Sequence, residues 1–407
     1  MTGVTVEQLE WDDRPIGTVE FPKTPLALKH GIGSGLAHDP LEPGVVWAIA
    51  DRGPNMEMDV AAEHYGWPVP DGFDDHSDAK LMPRLDMGPY MARLRIHDAK
   101  VELLETVRLR GSDGRPVPGV PIRAGEAAEC EPALAMDGSA LDPDPAGMDT
   151  EGIAALEDGS LWLSEEYGPS LVRVDRSGTV LRRLVPEGCE LAGGAEVTDS
   201  LPAIAARRHL NRGFEAVTVT PSGERMYLGF QSPLAHPDKD AIKAARHVRL
   251  WELDLEGTVV AQYIYPLDPP ESFSRDCEKG PLKRKNIKIC ELSAVGERRL
   301  LVLERGSETC KIYRVDLSDT LRAPCEHLDL ATRPTIEELS AGDVFPLQVL
   351  EKTLLFSSDD HPEVAADIEG MTFLSDRELL IVSDNDYGVE DKQISFFRLT
   401  YEQPITG

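Results

Sequence analysis

The sequence predicts an all-β protein, a β-propeller of five blades with about four antiparallel strands each; a six-bladed ring is the alternative. Three observations predict it. A short strand–turn–strand unit, usually opened by an acidic residue, recurs five times along the 407 residues. Each copy is followed by further strand-like segments. No long amphipathic helix pattern interrupts them.

The clearest copy is the stretch 149–167. Asp158-Gly159 marks a tight turn, because Gly adopts positive φ readily. Glu151 stands where the first strand begins, and Glu165 and Glu166 stand where the second ends. A hairpin brings those ends together. Crowded carboxylates repel unless a cation or a shared proton holds them.

The other copies open at Glu215, Glu291 and Glu369, and a weaker one opens at Ser34. Their spacing exceeds the roughly 40–50 residues of a minimal blade, which fits blades with long connecting loops. Evenness is too low for a solenoid, and a pair of β-sandwiches explains the repeat less well.

In chain order, residues 1–33 contain short alternating segments. An N-terminal strand is expected there, completing the last blade and closing the ring. Residues 53–83 and 111–148 are rich in Pro, Gly and Asp and read as long loop insertions. Outer strands are expected near 91–96, 101–109, 171–175, 180–184, 248–254, 259–264, 311–317, 352–357 and 393–399. Residues 201–210 and 240–246 read as short helices on loops. The whole chain, 1–407, is expected to be one domain.

Lys and Arg number 42 against 72 Asp and Glu, a formal net charge of −30. That balance argues against nucleic acid and anionic membranes as partners. It suits a protein that handles cations or metal-bridged ligands, although a solubilising surface accounts for most of the charge. No apolar run reaches the about 20 residues of a membrane span. The first residues lack a basic and then apolar leader pattern, so no signal peptide is expected and a cytoplasmic location is. The six cysteines, Cys130, Cys189, Cys277, Cys290, Cys310 and Cys325, include no C-x-x-C pair. Cys290 and Cys310 read as small buried hydrophobes; a Cys277–Cys290 disulfide is possible.

In a propeller the first strand of each blade lines the central channel. Glu151, Glu215, Glu291 and Glu369 then form a ring at one mouth, with Ser34 in the fifth place. Four carboxylates without a counter-charge are costly. They are the candidate metal ligands, for Ca²⁺ first and Mg²⁺ second. With no metal, they would cap backbone amides or pair with arginines between blades.

The second strands end in a related set that includes Asp51-Arg52, Glu165-Glu166, Glu304-Arg305 and Asp384-Asn385. Glu165, Glu166 and Asp384 are the candidate general bases. Arg52, Arg305 and Arg212 are candidates to hold an anionic ester, since guanidinium binds such groups with two hydrogen bonds; plain ion pairs are the commoner use. No G-x-S-x-G elbow, P-loop or dinucleotide fingerprint is present.

Several of these stretches together resemble the family described as esterase-like activity of phytase. They are 211–223 with Gln231-Ser232-Pro233, then 149–152, 303–306, 312–317, and 368–371 with 383–385. The resemblance spans roughly residues 30–400. It implies a propeller, hydrolysis of esters or phosphoesters, and calcium as the metal to test. Members are commonly exported, whereas no leader is visible here, and the first repeat lacks an acid. The function expected is therefore a metal-dependent hydrolase of phosphate esters or other small esters. Its partner would be a small anionic ester at the channel mouth. The alternatives are a non-catalytic scaffold with a structural cation, and a lactone-hydrolase-like enzyme using Asn385 or Asn211 as a ligand.

Overall fold

The computed structural model describes residues 3–73, 79–122, 131–192, 196–342 and 344–406. Short, largely buried runs bounded by turns give five sheets of four or five strands, in which most successive strands are antiparallel neighbours. The first holds Gly35–His38, Val45–Ile49, Tyr90–His97 and Lys100–Arg108. The second holds Thr150–Ala155, Leu161–Glu165, Ser170–Val174 and Val180–Pro186, and adds the parallel strand Val197–Leu201. The third runs Phe214–Val219, Met226–Phe230, His247–Leu253, Val259–Pro266. The fourth runs Lys288–Gly296, Arg299–Arg305, Cys310–Asp316, Lys352–Ser357. In the fifth, Ile368–Ser375, Glu378–Ser383 and Phe396–Tyr401 are joined by Val4–Leu9 from the start of the chain, outermost and antiparallel.

The sheets stay separate, but their first strands pack side by side in cyclic order: first to second, third, fourth, fifth and back to the first. A small cavity of about 30 Å³ is lined by all five of them, at Leu36, Ile153, Thr218, Leu292 and Thr372 among others. The core lies between sheet faces. Trp47, Ile49 and Met91 of the first sheet meet Ile153, Leu163 and Val172 of the second. Phe214, Phe230 and Trp251 form tilted and edge-on ring pairs within the third sheet, at 4.9 to 5.8 Å. Leu303 and Ile312 meet Met371 and Ile381, and Leu380 and Val382 meet Leu36 and Ala48. Each such buried side chain contributes about 1.5–3 kcal/mol.

The first strands approach closely, and this requires glycine. A Cβ on Gly35 would lie 2.5 Å from the carbonyl oxygen of Glu151. The two long insertions meet each other: Met56–Glu57, Lys80–Leu81 and Ala133–Leu134 form a small three-stranded sheet. Among the described residues there is no sixth sheet of four strands. Short helices occur at Ala203–Arg207 and Ala241–Ala244.

Candidate functional site

The site is built by a kink repeated in four sheets. Pairing between the first and second strands slips by one residue near the opening of each first strand. The slip falls between Thr150 and Gly152, Phe214 and Ala216, Ile289 and Glu291, and Ile368 and Gly370. The extra residue of each bulge is therefore Glu151, Glu215, Cys290 and Glu369. A bulge re-aims the side chain it carries, and such kinks collect at functional sites. On each second strand, the residue after the one paired just before the bulge (Glu165, Phe230, Glu304 and Ser383) forms a second set: Glu166, Gln231, Arg305 and Asp384. Asp51 stands two residues past the end of the first sheet's second strand, Val45–Ile49.

The two sets face one another. Gln231 Nε2 donates to Glu215 Oε2 at 2.8 Å. Arg305 ion-pairs with Glu369 and donates from Nε to Cys290 Sγ at 3.1 Å. Asp149, Glu151 and Glu166 bring carboxylate oxygens within 4.8 Å of one another. At that separation, two carboxylates repel by roughly 3–4 kcal/mol at an effective dielectric near 20.

Electrostatics follow from this crowding. Burial, and then Asp149 and Glu166, push the Glu151 carboxyl well above the usual range. Burial, Glu215 and Asp149 do the same to Glu166. Asp51 is raised by burial, Asp149 and Asp384, and Asp384 by burial, Asp386 and Glu369. Burial and Glu369 push Glu215 up to about 7, against the pull of Lys288 and Gln231. One cation enters the cluster directly. Arg52 donates its backbone amide to Asp149 Oδ1 at 3.1 Å, and its Nε lies 3.3 Å from Asp149 Oδ2. Asp149 Oδ2 is buried and accepts no hydrogen bond.

The family model for the esterase-like activity of phytase matches residues 29–387. This chain belongs to that phytase-like family. A curated relative from Arthroderma benhamiae, named an uncharacterized secreted protein, is 23% identical over 284 residues; the match covers 63% of this chain and 49% of the relative. The phytase-like chain thus spans about half the length of the curated relative it matches. That relative is named as secreted, so the expected cytoplasmic location is not supported. Among the described residues no helix is long and apolar enough to cross a membrane.

Solved structures to which the chain is similar include virginiamycin B lyase from Staphylococcus aureus, at 12% identity, covering 98% of this chain and 99% of the lyase, with a TM-score of 0.32. A β-propeller domain from Myceliophteria thermophila matches at 10% identity, covering 89% and 82%, with a TM-score of 0.30.

The structure redistributes the roles expected in this phytase-like chain. Glu291 does not stand with Glu151, Glu215 and Glu369. The register gives its expected place to Cys290 and gives Glu291 the place held by Gly152, Ala216 and Gly370 in the other sheets. A Cβ on Gly35 would come within 3.2 Å of Glu291 Oε2. Glu291 is fully buried and accepts the backbone amides of Leu36 and Leu292, each at 3.0 Å. It caps amides of the first and fourth sheets.

Glu165 is also corrected. Its carboxylate accepts from the Tyr167 amide at 2.6 Å, Gly168 amide at 3.1 Å, Ser170 Oγ at 2.7 Å and Arg183 Nη2 at 3.2 Å. Glu165 and Arg183 are both fully buried. No lone pair remains for a substrate proton.

Arg52 is bound the same way. Besides Asp149, it ion-pairs with Glu131 and donates to Tyr167 Oη at 2.8 Å and Asn211 Oδ1 at 3.0 Å. It ties the first sheet to the second, and its guanidinium is not free for a substrate. Arg305 is likewise held by Glu369, Asp367 and Cys290. Arg212 is largely buried, giving Nη1 to Ser232 Oγ at 3.0 Å and to the Lys285 carbonyl at 2.8 Å.

Sequence reasoning assigned no role to Asp149, Asp51 or Glu131. Asp149 was legible as an acid two residues before Glu151. Asp51 was legible as the first sheet's counterpart of Glu166. Glu131, on the insertion 111–148, comes close only through the fold, and it places that insertion at the acidic mouth. Cys130 lies outside the described residues; the other five cysteines are free thiols, so Cys277 and Cys290 form no disulfide.

Proposed function

We propose that this chain is a five-bladed propeller that hydrolyses phosphate esters or other small esters at its acidic mouth, with a divalent cation, calcium by preference. The observation that carries the reading is the meeting of Asp149, Glu151 and Glu166 within 4.8 Å of one another. The cyclic packing of five first strands supports the blade count.

The donor set fits a hard cation. It is all oxygen, it carries at least three carboxylates, and Asp149 Oδ2 is buried without a hydrogen-bond partner. Asp149, Glu151 and Glu166 would hold the ion, with Asp51 beside them. When bound, such an ion polarises an ester or phosphoryl oxygen and lowers the pKa of nearby water.

The protein's own groups supply the rest. Glu215, pushed up to about 7, is poised to take or return a proton near neutral pH. Asp384 is a second candidate base. Gln231 orients Glu215. Arg212 offers the rest of its guanidinium to the substrate anion. Arg305 positions Glu369 rather than substrate.

The test is turnover on a panel of phosphomonoesters, carboxylic esters and lactones, with calcium and then with EDTA. Hydrolysis that calcium restores after chelation is the expected result. Hydrolysis indifferent to EDTA overturns the metal role. A melting temperature lowered by EDTA with no turnover on any substrate makes the ion structural.

A further inference from the structure

Away from the acidic mouth, the outer strand of the first sheet presents a basic stripe. Side chains alternate along Lys100–Arg108 and its continuation. Thr106, Arg108 and Arg110 therefore share one side, while Leu109 is fully buried on the other. The base of the stripe is clamped. The Arg110 amide donates to the Gly178 carbonyl, and its carbonyl accepts from the Val180 amide, both at 2.8 Å.

These three residues line a cleft of about 300 Å³ whose apolar wall is Ile16, Met87 and Tyr90. They also line an adjoining groove of about 470 Å³ beside Arg176 and Ser177. Neither Arg108 nor Arg110 is ion-paired among the described residues, and Arg108 Nε is buried without a hydrogen-bond partner. The other charged groups nearby are taken. Asp86 is held by two bonds from Arg84, both at 2.7 Å. Arg176 is held by Asp39, at 3.2 and 2.6 Å. His30, at the inner end, shares a hydrogen bond with Tyr90 Oη at 3.1 Å, and burial favours its neutral form.

We propose that this cleft binds a small organic anion, a carboxylate or phosphate carried on an apolar body. Arg108 and Arg110 take the anionic group, as guanidinium does with either head group. Ile16, Met87 and Tyr90 pack against the body. The cleft's inner wall, Tyr90, comes near Asp51 and Asp384 of the acidic mouth, while its arginines sit on the outermost strand of the first sheet and its continuation, farthest from the first strands.

The experiment titrates the full chain with phenyl phosphate and with benzoate, each in EDTA, by calorimetry. Benzyl alcohol serves as the neutral control. Saturable binding of at least one anion is expected, weakened roughly tenfold or more by Arg108→Gln or Arg110→Gln. Arg108→Lys retains part of it, and Arg212→Gln, at the acidic mouth, leaves it unchanged. Melting temperatures of the variants confirm folding. Affinity unchanged in both Gln variants overturns the proposal, as does equal binding of benzyl alcohol. Loss of binding in Arg212→Gln alone assigns the anion to the mouth and overturns it too.

Discussion

Glu291 Oε2 accepts the backbone amide of Leu36 at 3.0 Å, joining the fourth sheet to the first across the axis of the molecule. Burial raises the Glu291 carboxyl well above its usual range, against the pull of the amides it accepts. Glu291→Ala should therefore destabilise the fold by about 1–3 kcal/mol by orphaning a buried amide. Glu291→Gln keeps one acceptor oxygen and should cost less. Urea denaturation of the two variants checks this; calcium binding should be the same in both.

Glu165 and Glu166 are adjacent, and their substitutions should diverge. Glu165→Gln breaks a fully buried pair with Arg183 and should cost about 3–5 kcal/mol of stability. Glu166→Gln relieves like-charge repulsion and should leave stability unchanged or raise it in EDTA, while weakening calcium binding at least tenfold. Melting curves and calcium titration separate the two. Equal effects on both readouts would refute the assignment.

Stability should depend on pH with an unusual sign. The folded chain holds the Glu215 carboxyl at about 7 against an ordinary value of 4.5. Between those values the native state binds more protons than the unfolded state. Stability from this group is therefore present below 4.5 and is lost as pH rises toward 7, on the order of 3 kcal/mol. Asp51, Glu151, Glu166 and Asp384 are raised and act in the same direction. In EDTA the melting temperature should fall between about pH 5 and 7.5, and calcium should restore it most at the upper end. A melting temperature that climbs with pH in EDTA would contradict this.

Arg52→Lys should be poorly tolerated although charge is conserved. A lysine cannot reach Glu131, Tyr167, Asn211 and Asp149 together. A loss of about 2–4 kcal/mol is expected from the carboxylates left partly unpaired. Chemical denaturation measures it.

Much of the fold was legible because opener, turn and second strand repeat as local patterns. The spacing of Glu151, Glu215 and Glu369 followed directly from that repeat. Glu291 misled because like letters were matched instead of strand register. Aligning Ile289 with Ile368 and Phe214 would have set Cys290 opposite Glu369 and Glu215. A one-residue slip turns a side chain to the other face, and no composition signal reports it. Arg52 and Arg305 were visible as cations beside acids. Their partners Glu131 and Asp367 come from other segments, so their saturation could not be read along the chain.

Val4–Leu9 pairs with Phe396–Tyr401. Val4–Leu9 precedes every other strand of the five sheets and Phe396–Tyr401 follows them, so this pairing waits until all the strands between have been made. Until then, the final sheet offers a bare edge to any neighbouring chain. A chain that stops short of Phe396 should therefore be prone to stick, edge to edge, to its neighbours.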